Sequence, residues 1–294
     1  MYFATFQYQE KEVVGVLNKD KTKVFKLSLI LEKNIHSLLD FITIADQTAL
    51  DDVKKYVEKS PENEALSLDK VKILAPIPKL PRNAICLGLN YADHIKESHS
   101  IASPSDAPIN PVFFSKACTD IIGTDMEIDS HPNFTDSLDY EVELAVVVGK
   151  EGLNIKEEEA LDYVFGYTIL NGITARDIQK RHLQWLKGKS LDTFAAMGPF
   201  LVHKSSIDSP LELDVKAFVN GELRQDSHTR YQIFSLERII SELSQGFTLK
   251  LGDVISTGTP AGVGMGFNPP KYLKAGDEVE CSIEKLGTLR NVVR

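Results

Sequence analysis

Cysteine is scarce and scattered in this chain. Only Cys86, Cys118 and Cys281 occur, and no two of them form a CxxC pair. That argues against a disulfide framework or a zinc site, and for reduced thiols. Long apolar runs are missing too: residues 144–148 form the longest, far short of the ~20 a membrane helix needs. The first ten residues hold neither a basic stretch nor a continuous apolar one, so no signal peptide is expected. Positive charge is in deficit, with 33 Lys and Arg against 42 Asp and Glu and a net charge of −9. General nucleic-acid binding and membrane partners are therefore not expected. No internal repeat or low-complexity tract is visible.

What is present is ordinary for a globular chain. It has 294 residues, 43% hydrophobic and 26% charged, which suits one large domain or one with a small appendage. A cytoplasmic enzyme is the natural class. Residues 1–18 alternate and turn as a hairpin. Ile35, Leu38, Leu39 and Ile42, then Leu50, Val53 and Val57, carry helical spacing. Residues 59–69 are polar and loop-like. Pro76, Pro78 and Pro81 then force an extended path, and we place a domain boundary there, giving 1–73 and 74–294. Beyond it the spacing predicts strands at 83–87, 140–148, 165–170, 253–257 and 278–283. Helices are expected at 90–98, 156–164, 176–186 and from Leu236 to Gly246. Asn220-Gly221 is a favoured two-residue hairpin turn. Residues 99–111 form a long loop without periodicity, of the kind that covers binding sites.

Five stretches could carry chemistry. Glu141 and Glu143 share one face of an apolar strand. Two buried like charges need a compensating cation, and a hard divalent ion is the simplest one; alternatively, that face is solvated at a sheet edge. His94 and Glu97 are spaced i, i+3 on a helix, so the carboxylate can orient the imidazole as a base; alternatively, they are an incidental surface pair. In 171–179, Gly172 permits a close approach and Thr174 is a plausible helix N-cap. Lys189, among Gly, Ser and Thr, could hold an anionic group, or be merely solvated; P-loop spacing is absent. The run 256–264 offers backbone N–H groups to an anion, or is a plain turn.

Together and in this order, these stretches resemble the fumarylacetoacetate hydrolase family over residues 71–294. The matching motifs are Gly88-Leu-Asn-Tyr-Ala-Asp-His94, Pro111-Val-Phe-Phe-Ser-Lys116, Asp139-Tyr-Glu-Val-Glu143, Thr174-Ala-Arg-Asp177, Gly188-Lys-Ser-Leu-Asp-Thr193 and Thr257-Gly-Thr-Pro-Ala-Gly262. The chain is most similar to the bacterial branch associated with oxaloacetate decarboxylation and keto–enol tautomerisation. The resemblance implies an α+β fold, a mixed β-roll with short flanking helices and a small N-terminal α/β domain, usually as a homodimer. It implies Mg²⁺ or Mn²⁺ held by Glu141 and Glu143. It also implies a base pair of His94 and Glu97, a substrate-binding catalytic Lys189, and Gln179 and Thr259 on substrate oxygens. The family's third metal ligand, an aspartate, falls at Gly172, which has no side chain; metal affinity and activity are expected to fall. Leu89 replaces a residue that is often basic in relatives. The implied substrates are small β-oxo (di)carboxylic acids, taken through decarboxylation, tautomerisation or acylpyruvate-type C–C hydrolysis, with a loop at 101–110 closing over them. The alternative is a non-catalytic homologue that binds an oxo acid or a protein partner.

Overall fold

Short runs rich in Val, Ile and Phe, each long enough for one strand, build two large sheets around a shared core, and Thr174–Ala175 pairs with Leu138–Asp139 as a small two-stranded one. The structure is a computed structural model and describes residues 1–61, 64–98, 108–118 and 120–294. The larger sheet runs in the order Leu66–Ser67, Lys23–Lys26, Lys11–Leu17, Tyr2–Tyr8, Ala196–His203, Val164–Asn171, Val142–Val148, Val254–Ser256, Ala84–Gly88 and Val112–Lys116. Lys72–Ile73 adds to Tyr2–Tyr8 off that path. Neighbours are antiparallel except Val254–Ser256 with Ala84–Gly88, which are parallel. The second sheet runs Glu222–His228, Asp214–Val219, Glu278–Ile283, Gly287–Val293 and Glu127–Ile128. It lies against Val142–Val148, Val164–Asn171 and Ala196–His203. Both Val142–Val148 and Val164–Asn171 are buried throughout. This is the mixed-sheet α+β arrangement with short helices that was expected.

The sequence signals with local causes are realised. Tyr2–Tyr8 and Lys11–Leu17 pair as a hairpin. Ser37 and Asp40 form a reciprocal cap at the start of Leu38–Ile44. Asp46 caps Gln47–Lys59 by accepting from the Ala49 N–H at 2.8 Å. Asn220 and Gly221, at φ 51° and 77°, make the turn between Asp214–Val219 and Glu222–His228. Leu236–Ser244 buries Leu236, Ile239 and Ile240 beneath a Ser235 cap.

Several expectations change. The segment 156–164 winds as a 3-10 helix, Glu157–Tyr163. The helix expected over 176–186 is two pieces, Arg176–Arg181 and Leu186–Lys189. Thr174 is not an N-cap: its hydroxyl donates to the Gly172 carbonyl at 2.8 Å, and Ala175 holds the cap position. The loop expected over residues 101–110 lies, for 101–107, outside the described residues. The boundary at 73/74 falls between strands of one sheet, because Tyr2–Tyr8 pairs with Ala196–His203.

His203, at the end of that joining strand, gives a pH-dependent stability. Burial, then the positive N-terminus and Lys204, push its pKa from 6.5 down to about 4. The unfolded chain therefore binds more protons between pH 6.5 and 4, and stability falls as pH falls through that window. The contribution is roughly 3 kcal/mol, at ~1.4 kcal/mol per pKa unit. Melting temperatures measured across this window should drop, and less steeply in His203→Gln. Equal slopes would remove the assignment.

Candidate active site

The strand Val142–Val148 lies between Val164–Asn171 and Val254–Ser256. Its face is therefore interior rather than a solvated edge. Glu143 belongs to this strand, and Glu141 directly precedes it; the two are 2% and 3% exposed. Alternation along the extended chain turns both carboxylates into one cavity. That cavity is lined by His94, Glu141, Glu143, Arg176, Gln179, Lys189 and Thr259 on its polar side, and by Leu87, Leu89, Phe114, Trp185 and Met265 on its apolar side. Every site residue expected from the sequence is here except Glu97, which reaches it through His94. Glu97 Oε1 lies 2.8 Å from His94 Nδ1.

Each carboxylate has its own partners. Glu141 accepts from Lys189 Nζ at 2.7 and 2.6 Å and pairs with Arg176 Nη1 at 2.7 Å. Burial pushes its pKa up, but Lys189 and then Arg176 outweigh burial and hold it well below the usual carboxylate range. Among the described residues no such cation is in hydrogen-bond contact with Glu143. Glu143 accepts from the Ser256 hydroxyl and, at 3.0 Å, from the Gly258 N–H. Burial first, then the charge of Glu141, raises its pKa to about 7. Lys189 is accordingly buried and paired, not solvated. Gln179 Oε1 accepts from Arg176 Nη1 at 3.2 Å, and the Thr259 hydroxyl accepts from Gln225 at 2.7 Å.

Sequence reasoning left two participants, Arg176 and Lys116, without a role. Arg176 bridges Glu141 and Asp139, the latter at 2.8 Å from its Nε, and its Nη2 is buried without a partner. Lys116 is fully buried at the end of a strand and donates to the Ile173 carbonyl at 2.8 Å. Burial, then Lys189, lowers its pKa. The run after Val254–Ser256 does bind anions with its N–H groups, but the anions are the protein's own: Glu143 at Gly258, Glu97 at Gly262 and Asp139 at Gly264 and Met265. Charges at sequence-distant positions mark none of these pairings. The one available signal was a glycine-rich run in a chain with excess acid. Asp177 points away from the cavity and accepts from Thr135 at 2.5 Å.

Gly172 supplies space rather than a ligand. A Cβ there would stand 2.2 Å from Glu143 Oε1 and 3.1 Å from Glu141 Oε2. Glu143 Oε1 thus packs against the Gly172 backbone, in space that a side chain at 172 would need. Two carboxylates turned into one cavity offer hard oxygen donors of the kind that suit Mg²⁺ or Mn²⁺, with water completing the shell. The donor set is two protein carboxylates, and among the described residues no group of three or more His, Cys, Asp or Glu converges.

Comparison with known proteins finds relatives along the full length of the chain. Residues 83–294 match the family described as Fumarylacetoacetate (FAA) hydrolase C-terminal. The whole chain aligns with the whole of a Bacillus subtilis (strain 168) protein named oxaloacetate tautomerase YisK, at 45% identity over 309 aligned residues. A solved fumarylacetoacetate hydrolase from Exiguobacterium antarcticum is 39% identical, covers 100% of this chain and 99% of its own, and superposes with a TM-score of 0.84. A maleylpyruvate hydrolase from Sphingobium sp. SYK-6, solved with manganese (II) ion and pyruvate, is 25% identical with a TM-score of 0.79, over 100% of this chain and 98% of its own.

Proposed function

The chain belongs to the fumarylacetoacetate hydrolase family, and from that premise we propose that it interconverts the keto and enol forms of oxaloacetate or a similar small β-oxo acid. The observation that carries this reading is the His94–Glu97 pair at the mouth of a cavity floored by Glu141 and Glu143. Glu97 takes up Nδ1 of the imidazole, which leaves Nε2 as the base. Nε2 removes a proton from C3 of the substrate, the C2=C3 bond forms, and the 2-oxo oxygen gains a proton to become the enol hydroxyl. Arg176, with its unpartnered Nη2, and Gln179 receive the C1 carboxylate. Lys189 and Thr259 face the oxygen on which charge develops. Glu141 and Glu143 would hold Mg²⁺ or Mn²⁺, which supplies Lewis-acid stabilisation of that charge. The same residues could serve decarboxylation or C–C hydrolysis, but an end-to-end relative named as a tautomerase favours proton transfer. We place the protein in the cytoplasm as a homodimer, with sedimentation as the check on its mass; no helix among the described residues is long and apolar enough to cross a membrane.

The test is an ultraviolet assay of enol–keto conversion of oxaloacetate, alongside calorimetric titration with Mn²⁺. The unmodified chain should bind the ion and accelerate the conversion. Gly172→Asp should bind Mn²⁺ more tightly, because it adds a third carboxylate beside Glu141 and Glu143, provided that the Glu143 carboxylate shifts to admit the new side chain. Unchanged affinity in Gly172→Asp would exclude a metal position within reach of residue 172. Neither binding nor turnover in either protein would favour a non-catalytic, oxo-acid-binding role.

A further inference from the structure

Glu97 rests on the glycine-rich segment that follows Val254–Ser256. The Gly262 N–H donates to its carboxylate at 3.0 and 3.2 Å, while Oε1 keeps the 2.8 Å contact to His94 Nδ1. Gly266 flanks the same carboxylate. A Cβ on Gly266 would fall 2.2 Å from Glu97 Oε2 and 2.7 Å from its Cδ. The carboxylate therefore occupies the place of a side chain at 266. The segment is itself pinned by the fully buried Asp139, which accepts from the Gly264 N–H at 2.6 Å and the Met265 N–H at 3.1 Å. Asp139 also accepts from Arg176, and Arg176 meets Glu141. One chain of contacts thus runs from the base pair to the carboxylate floor.

We propose that residues 262–266 are a seat that positions Glu97, and that Gly266 is a positioning residue for proton transfer. The inference rests on the reading of His94 and Glu97 as the proton-transfer pair. A carboxylate on Nδ1 sets the tautomer and orientation of the imidazole, so moving the carboxylate misaligns the base. The seat also ties the helix Ala92–Glu97 to the body of the protein over the cavity. Free volume there is about 30 Å³, room for a water or two.

Gly266→Ala isolates the effect. Gly266 is exposed and its backbone lies outside the left-handed region, so alanine conflicts chiefly with the Glu97 carboxylate. Its kcat should fall about 10²-fold, as a displacement of about 1 Å can cause, with KM and melting temperature nearly unchanged. In a Glu97→Ala background the same substitution should change kcat by less than about twofold, because the two act through one contact. Hydrogen exchange of amides in Ala92–Glu97, which needs no turnover, should quicken in Gly266→Ala. Unchanged kcat, equal losses in both backgrounds, or unchanged exchange would overturn the seat. If the unmodified chain converts no oxo acid, the proposed activity fails while exchange still decides the seat.

Discussion

His94→Ala lowers kcat for oxaloacetate enolisation by about 10²–10⁴-fold, the range of a lost general base, with KM little changed. The imidazole joins the cavity, and its Nδ1 is committed to Glu97. Lys189 is tied to Glu141, Arg176 to Asp139 and Glu141, and a Glu143 carboxylate is held by Ser256 and Gly258. The ring is buried, so its removal also costs some stability, which the melting temperature reads separately. Steady-state kinetics at saturating Mn²⁺, with melting temperature as the folding control, separate the two. A variant that retains kcat would remove His94 from the mechanism.

The largest loss of stability is expected from Arg176→Met. Arg176 is 4% exposed and is the shared counter-ion of Asp139 and Glu141. Burial alone would lower its pKa, but Asp139 and then Glu141 reverse this and raise it. Methionine fills a comparable volume without charge. Glu141 keeps Lys189, whereas among the described residues Asp139 keeps backbone donors at Tyr140, Gly264 and Met265 and no cation. Breaking a buried pair from one side costs about 3–5 kcal/mol, because the remaining charge is uncompensated. At roughly 2–4 °C per kcal/mol for a chain of this order, the melting temperature should fall by about 10 °C. Adding Asp139→Asn should recover part of that loss, since it removes the stranded charge. A melting temperature unchanged by Arg176→Met would mean that the ion pair is not sustained in solution.

Legibility differed sharply between parts of the molecule. The capped helix at 47–59, the Asn220-Gly221 hairpin and the helix Leu236–Ser244 were readable because each depends on residues within a few positions of one another. The strand Ala196–His203 was not, since Gly198-Pro199 in its middle reads as a break. Its place beside Val164–Asn171 is set by cross-strand pairing, which overrides local preference. Lys23–Lys26 is too short for its alternation to register. Val112–Lys116 ends in Lys116, whose burial no local pattern announces.

The sequence by itself determined which groups could share a face: Glu141 with Glu143 by the two-residue period of a strand, and His94 with Glu97 by the three-residue step of a helix. The resemblance of its ordered motifs added the remaining expected positions. Tertiary structure alone decided the partners. It brought Lys189 and Arg176 to Glu141, Ser256 and Gly258 to Glu143, and Gly262 to Glu97 across 165 positions of chain. The reason is physical. Backbone periodicity fixes directions over one or two turns, whereas the pairing of buried charges is settled by which elements fold against each other and exclude water between them.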